Sequence, residues 1–108
     1  MSNAKNVEIK FETLKACVLL PSYNNAGTLA GMLNDIYRFT RNIIVVNDGS
    51  TDHTAEILNI FPGLCVVSYS PNRGKGYARR QGFKKAAELG YDHAIRSDSD
   101  GQHSADDL

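Results

Sequence analysis

The chain has 108 residues, of which 42% are hydrophobic and 22% charged, which suits one soluble domain with one core. Twelve basic and twelve acidic residues cancel, so no global field argues for nucleic acid or an anionic surface as partner. The longest apolar runs are strand-sized and far short of the roughly 20 residues a membrane-spanning helix needs.

Residues 1–14 read as an N-terminal tail, with Ser2-Asn3-Ala4 resembling a cloning remnant, and residues 15–108 as the functional domain. Cys17 and Cys65 fall in expected buried strands, where a free thiol behaves as a small hydrophobe. No Cys-x-x-Cys spacing and no secretory opening occur, so the expected compartment is the reducing cytoplasm.

The first strand is Ala16 to Leu20, closed by the turn chemistry of Pro21-Ser22-Tyr23-Asn24-Asn25. From Thr28 to Phe39 the apolar residues Leu29, Met32 or Leu33, Ile36 and Phe39 recur at helical spacing, which predicts a helix packed on a sheet. Asn42 to Asn47 is an uninterrupted apolar strand, and Asp48-Gly49-Ser50-Thr51-Asp52 supplies turn and cap residues for a helix through Ile60. Pro62-Gly63 ends that helix. Leu64 to Tyr69 forms a third strand, and Ser70 to Gly74 a loop. The third helix is expected over Gly76 to Leu89, with Tyr77, Phe83, Ala87 and Leu89 facing inward and Gly90 as its C-terminal cap. His93 to Ser97 is the fourth strand, and Ser104-Ala105-Asp106-Asp107 has the pattern of a capping box opening a fourth helix.

Alternating strands and helices, with strands apolar on both faces, predict a Rossmann-like α/β fold: a mostly parallel sheet with helices on both faces. Right-handed crossovers place the strand-to-helix loops along one edge, where ligands of open sheets bind. Ser22 to Asn25, Asn47 to Asp52, Asn72 to Arg80 and Asp98 to His103 all belong to that edge, so four loops make one site.

Asp48 can accept a hydrogen bond from an imide or amide N–H of a base, or can simply cap the second helix; for Asp52 the capping role is favoured. Tyr23 offers an aromatic face for stacking, or is an ordinary half-buried tyrosine. Arg73 to Arg80 gathers four of the twelve basic residues with two glycines at a helix start, which suits a diphosphate; for Arg79 and Lys84 a solvated basic helix face is the favoured reading. A Walker A loop is excluded because Lys75 is followed by Gly76, and the first strand-helix turn lacks the dinucleotide fingerprint. Asp98 and Asp100, two residues apart, converge on one face of an extended segment and repel unless a cation lies between them. With the amide oxygen of Gln102 they form a hard oxygen set suited to Mg²⁺ or Mn²⁺; solvated turn carboxylates are the alternative. His53 and His93 are read as surface residues.

The ordered motifs Leu19-Leu20-Pro21-Ser22-Tyr23-Asn24, Ile44 to Asp52, Asn72-Arg73-Gly74-Lys75-Gly76 and Asp98-Ser99-Asp100-Gly101-Gln102-His103 resemble those of the family 2 glycosyltransferases with the GT-A fold. In motif form they are most similar to the polyprenyl-phosphate sugar transferases. The resemblance covers Ala16 to Leu108 and implies the nucleotide-sugar-binding half of such an enzyme, with the acceptor site and any general base downstream. It implies a UDP- or GDP-sugar donor, a divalent metal and inversion at the anomeric carbon. Asp48 would contact the base, Pro21 and Tyr23 the base and ribose, Lys75 the phosphates, and Arg80 the phosphates or the base edge. Asp98 would lie near ribose or metal, and Asp100 and Gln102 would hold metal and diphosphate. Asn25 and Asn47 depart from the Glu and Asp that many relatives carry.

The acceptor implied is a saccharide or a polyprenyl phosphate, and the location is the cytoplasm, at the inner face of the membrane if downstream segments anchor it. A truncated sheet would expose an apolar edge able to self-associate. Two other readings are a sugar-phosphate nucleotidyltransferase, disfavoured because the first loop lacks a Gly-rich, Arg-containing sequence, and a non-catalytic nucleotide-binding or assembly module.

Overall fold

The structure, a computed structural model, describes residues 14–97 and the backbone of residues 103–107. Its elements in chain order are β1 (Ala16–Ser22), α1 (Ala26–Tyr37), β2 (Ile43–Asp48), α2 (Thr54–Leu58), β3 (Cys65–Tyr69), α3 (Lys75–Glu88), β4 (His93–Ser97) and β5 (His103–Asp107). They build one five-stranded sheet in the order β3-β2-β1-β4-β5. β1 is central and pairs in parallel with both β2 and β4, β3 pairs in parallel with β2, and β5 runs antiparallel to β4. The expected α/β architecture is thus present.

Strand faces follow from alternation along the pleat. Cys17, Leu19, Ile44 and Val46 point to one face and meet Ala78 and Ala86 of α3. Leu20, Ile43 and Val45 point to the other and meet Leu29 and Leu33 of α1 and Leu58 of α2. Helices therefore cover both faces, and the buried apolar area of these two layers drives the fold. Burial raises the Cys17 thiol to about 12, with the neighbouring Cys65 sulfur adding to the effect.

Several local expectations are corrected. The inward face of α3 is the small-residue row Ala78, Gly82 and Ala86, whereas Ala87 and Leu89 are exposed and Tyr77 and Phe83 only half-buried. A Cβ on Gly82 would lie 2.1 Å from Leu19 Cδ1, so the helix rests directly on the sheet there. β3 lies at the sheet edge and is half-buried in alternation, which leaves Cys65 half-buried, not enclosed. α2 stops at Leu58, before Ile60, because the chain turns ahead of Pro62-Gly63. Residues 103–107 form a strand in place of a fourth helix. The edge of β4 offers these residues a full ladder of backbone partners, which a helix there would forgo. His93 is a half-buried β4 residue, and its carbonyl accepts from Cys17 Sγ at 3.7 Å; exposed His53 contacts Glu56 at 3.3 Å.

The C-terminal end of α3 matches the expectation. Gly90 takes φ +88°, its N–H bonds Ala87 O at 3.1 Å, and Tyr91 N–H bonds Ala86 O at 3.0 Å, the double closure of a Schellman cap.

Candidate functional site

All four parallel strands end on one edge, at Ser22, Asp48, Tyr69 and Ser97. The chain leaves β1 toward β2 on one side and later returns to β4 on the other, so the crevice of a topological switch point opens above β1. A cavity of about 140 Å³ lies there. Its walls are Pro21, Ser22, Tyr23 and Asn25 from the end of β1, Asp48 from the end of β2, and Lys75 and Ala78 from the first turn of α3. Four of the residues singled out by sequence, Pro21, Tyr23, Asp48 and Lys75, are thus brought together.

Tyr23, in the cavity wall, is 50% exposed. Asp48 is only 3% exposed, and its surroundings were not foreseen. Its Oδ1 accepts the Arg73 N–H at 2.9 Å, and Oδ2 accepts the Gly74 N–H at 3.0 Å and Asn72 Nδ2 at 2.8 Å. Asn72 Nδ2 also reaches Asp48 O at 3.0 Å. Asp48 therefore caps no helix; it fastens the β3–α3 loop to the end of β2. Gly49 makes this approach possible: at φ +69° it is left-handed, and a Cβ there would lie 2.2 Å from Asn72 N. Tyr69 is the register partner of Asp48, and burial together with the Asp48 charge pushes its phenol above the usual tyrosine range.

Asp52 has the capping role assigned to it, and a second one. Its Oδ1 accepts Thr54 N–H at 2.9 Å and Thr54 Oγ1 at 2.5 Å at the start of α2, while Oδ2 accepts Ala26 N–H at 3.2 Å at the start of α1. These bonds, that to the Thr54 hydroxyl foremost, hold its carboxyl below the ordinary carboxylate value. Asn47 Oδ1 accepts Ser50 N–H at 3.2 Å, and the Ser22 hydroxyl donates to Asn25 Oδ1, so both departures from the family pattern are engaged in local bonding.

Arg80 is exposed on the second turn of α3, its Nη1 lying 3.6 Å from where Gly76 would carry a Cβ, and it stands outside the cavity walls. Arg73 stacks over Tyr77 at 5.2 Å, which in turn meets Tyr69 edge-on at 5.0 Å. Asp98, Asp100 and Gln102 lie outside the described residues. Among the described residues no group of three or more His, Cys, Asp or Glu side chains forms a metal site, and no helix is long and apolar enough to cross a membrane.

A mostly parallel sheet with a cavity at its switch point, walled by an aromatic ring, a buried carboxylate and a lysine at a helix start, is the arrangement of an open-sheet α/β protein with a ligand crevice. The profile of Glycosyl transferase family 2 matches residues 17–108, and the chain belongs to that family. It is 32% identical over 108 residues to the UDP-N-acetylglucosamine–dolichyl-phosphate N-acetylglucosaminyltransferase of Methanococcus voltae, covering 84% of this chain and 43% of that protein. It is also 32% identical over 114 residues to the dolichyl-phosphate beta-glucosyltransferase of Saccharomyces cerevisiae, covering 90% of this chain and 33% of that protein. Among solved structures, glucosyl-3-phosphoglycerate synthase of Mycobacterium tuberculosis, in complex with Mn²⁺, UDP and glucosyl-3-phosphoglycerate, superposes with a TM-score of 0.68 at 25% identity. That match covers 89% of this chain and 37% of the synthase. The chain thus spans less than half the length of these relatives.

Proposed function

We propose that this chain carries the donor site of an inverting, metal-dependent glycosyltransferase that moves a sugar from a UDP- or GDP-sugar to an acceptor, with a polyprenyl phosphate as the acceptor class. The observation that carries the reading is the convergence of Pro21, Tyr23, Asp48 and Lys75 on one cavity at the switch point. The exposed ring of Tyr23 stacks on the base. Asp48, in the cavity wall, is the carboxylate that would accept a base N–H. Lys75, first residue of a 14-residue helix, adds a cationic head to the positive helix end and favours the donor diphosphate. Arg80, outside the cavity walls, reaches the phosphates only from the rim.

The divalent ion is assigned to Asp98, Asp100 and Gln102, whose oxygen donors suit Mg²⁺ or Mn²⁺. Bound there, the ion would supply Lewis-acid stabilisation of the charge that builds on the leaving diphosphate. A polyprenyl phosphate acceptor is already ionised and dispenses with a general base, which fits the dolichyl-phosphate enzymes among the relatives and a role in glycolipid or cell-envelope polysaccharide synthesis at a cytoplasmic membrane face. The edge of β4 is covered by β5, so self-association through an edge left open after the fourth strand is not proposed.

Calorimetric titration of the chain with UDP and with GDP in Mn²⁺ tests the donor assignment. Binding heat that weakens at least tenfold in Asp98→Ala and Asp100→Ala is expected. Heat unchanged by either substitution removes the metal assignment, and absence of heat with both nucleotides removes the donor site.

A further inference from the structure

The walls of the cavity come from separate loops, so something must fix their spacing. Asn24 sits between two wall residues, Tyr23 and Asn25, yet is not itself a wall. Its backbone is left-handed, with φ +48°, a conformation that asparagine tolerates better than other residues with a Cβ. That bend turns the residue toward the loop following β2. The Asn24 N–H donates to Ser50 Oγ at 3.0 Å. Its side-chain amide makes a reciprocal pair with Thr51: Thr51 N–H donates to Oδ1 at 2.8 Å, and Nδ2 donates to Thr51 Oγ1 at 3.4 Å. Beside them, Asp52 receives the Ala26 N–H. Every one of these bonds crosses from the loop that carries Tyr23 to the loop that carries Asp48.

We propose that Asn24 is a positioning residue, whose left-handed backbone and side-chain amide clasp the two loops so that Tyr23 and Asp48 are held at the spacing a nucleoside diphosphate needs. The inference rests on the donor-site reading above. The bonds are solvent-exposed and add little to global stability, but loops ordered before binding spare the ligand the entropy of ordering them. The effect therefore falls on affinity.

The test is Asn24→Gly, which keeps the left-handed backbone without strain and removes both side-chain bonds, with Asn24→Asp as the conservative variant that retains the acceptor for the Thr51 N–H. Two quantities are read in the whole chain: UDP affinity in Mn²⁺ by calorimetry, and hydrogen exchange of the Thr51 amide without ligand. Asn24→Gly is expected to weaken UDP about 5- to 10-fold and to speed Thr51 exchange about tenfold, while exchange of β1 and β2 core amides stays within twofold. Asn24→Asp is expected to restore Thr51 protection and most of the affinity. Wild-type UDP affinity in Asn24→Gly overturns the positioning role, as does an Asn24→Asp protein that regains Thr51 protection without affinity. Absence of UDP binding by the unaltered protein instead overturns the donor-site reading, and the clasp is then decided by Thr51 exchange alone, with unchanged exchange refuting it.

Discussion

Asp48→Asn changes one atom in the most densely bonded part of the site, and its cost can be worked from the geometry. In the native protein the nearly enclosed carboxylate accepts three N–H groups from Asn72, Arg73 and Gly74, at 2.8, 2.9 and 3.0 Å. Asparagine can turn its oxygen to the Oδ2 side and keep two of these bonds, but they fall from charge-assisted strength toward the ordinary value of about 1 kcal/mol, a loss of roughly 1 kcal/mol each. Its NH₂ then faces the Arg73 N–H, donor against donor, and leaving that group unsatisfied costs a further 1–3 kcal/mol or so. The sum is about 3–5 kcal/mol, less some relief from no longer burying a charge, so about 3 kcal/mol is expected. For a domain of this size each kcal/mol lowers Tm by roughly 4–8 °C, which gives a fall on the order of 12–24 °C. Circular-dichroism melting, with urea unfolding to confirm that the midpoint and not the slope has moved, measures it. A fall under about 3 °C would show that the cradle contributes nothing and that Asp48 is free to serve only a ligand. The prediction also warns that lost activity in an Asp48 variant must be judged at a temperature where the variant is folded.

Two further outcomes concern the scaffold. Gly31 and Gly82 are both helical, but a Cβ meets nothing within 4 Å at Gly31 and lies 2.1 Å from fully buried Leu19 at Gly82. Gly31→Ala is expected to raise stability by about 0.5–1 kcal/mol and Gly82→Ala to lower it by about 1–2 kcal/mol, read from urea midpoints; equal effects would contradict the close seating of α3. Asp52 has its folded value held below the ordinary one, so its contribution is present above the ordinary carboxylate range and is lost as pH falls through the folded value. Melting between pH ~5 and pH ~3 should therefore fall less steeply in Asp52→Asn than in the parent, and identical slopes would refute the double cap.

What could be read in advance depended on whether the signal was local. Ile43 to Val46 and Ala16 to Leu20 announce buried parallel strands because β-branched and apolar side chains run without interruption, and the turn residues after them place Tyr23 and Asp48 at one edge. Gly90 was legible as a cap for the same reason. The inward face of α3 was not, because apolar periodicity gives weight to Tyr77, Phe83 and Leu89, whereas close packing selected the small row Ala78, Gly82 and Ala86. The bonding of Asp48 was hidden too. Its partners lie 24 to 26 residues away, and nothing near Asp48 in sequence marks Asn72, Arg73 and Gly74 as its donors. Residues 103–107 misled because a capping pattern describes what a segment does when a helix follows, while the open edge of β4 competes for the same backbone.

The central position of β1 also orders events in time. Its pairing with β2 closes a short loop, whereas its pairing with β4 joins Ala16 to His93, more than seventy residues on, and waits for a far larger chain closure. The wall bearing Tyr23 and Asp48 can therefore assemble early, from local contacts, and the wall bearing Lys75 and Ala78 arrives only when α3 docks. A chain caught between those steps would display only the Tyr23 and Asp48 wall of the cavity, with the apolar sheet face that α3 covers still open.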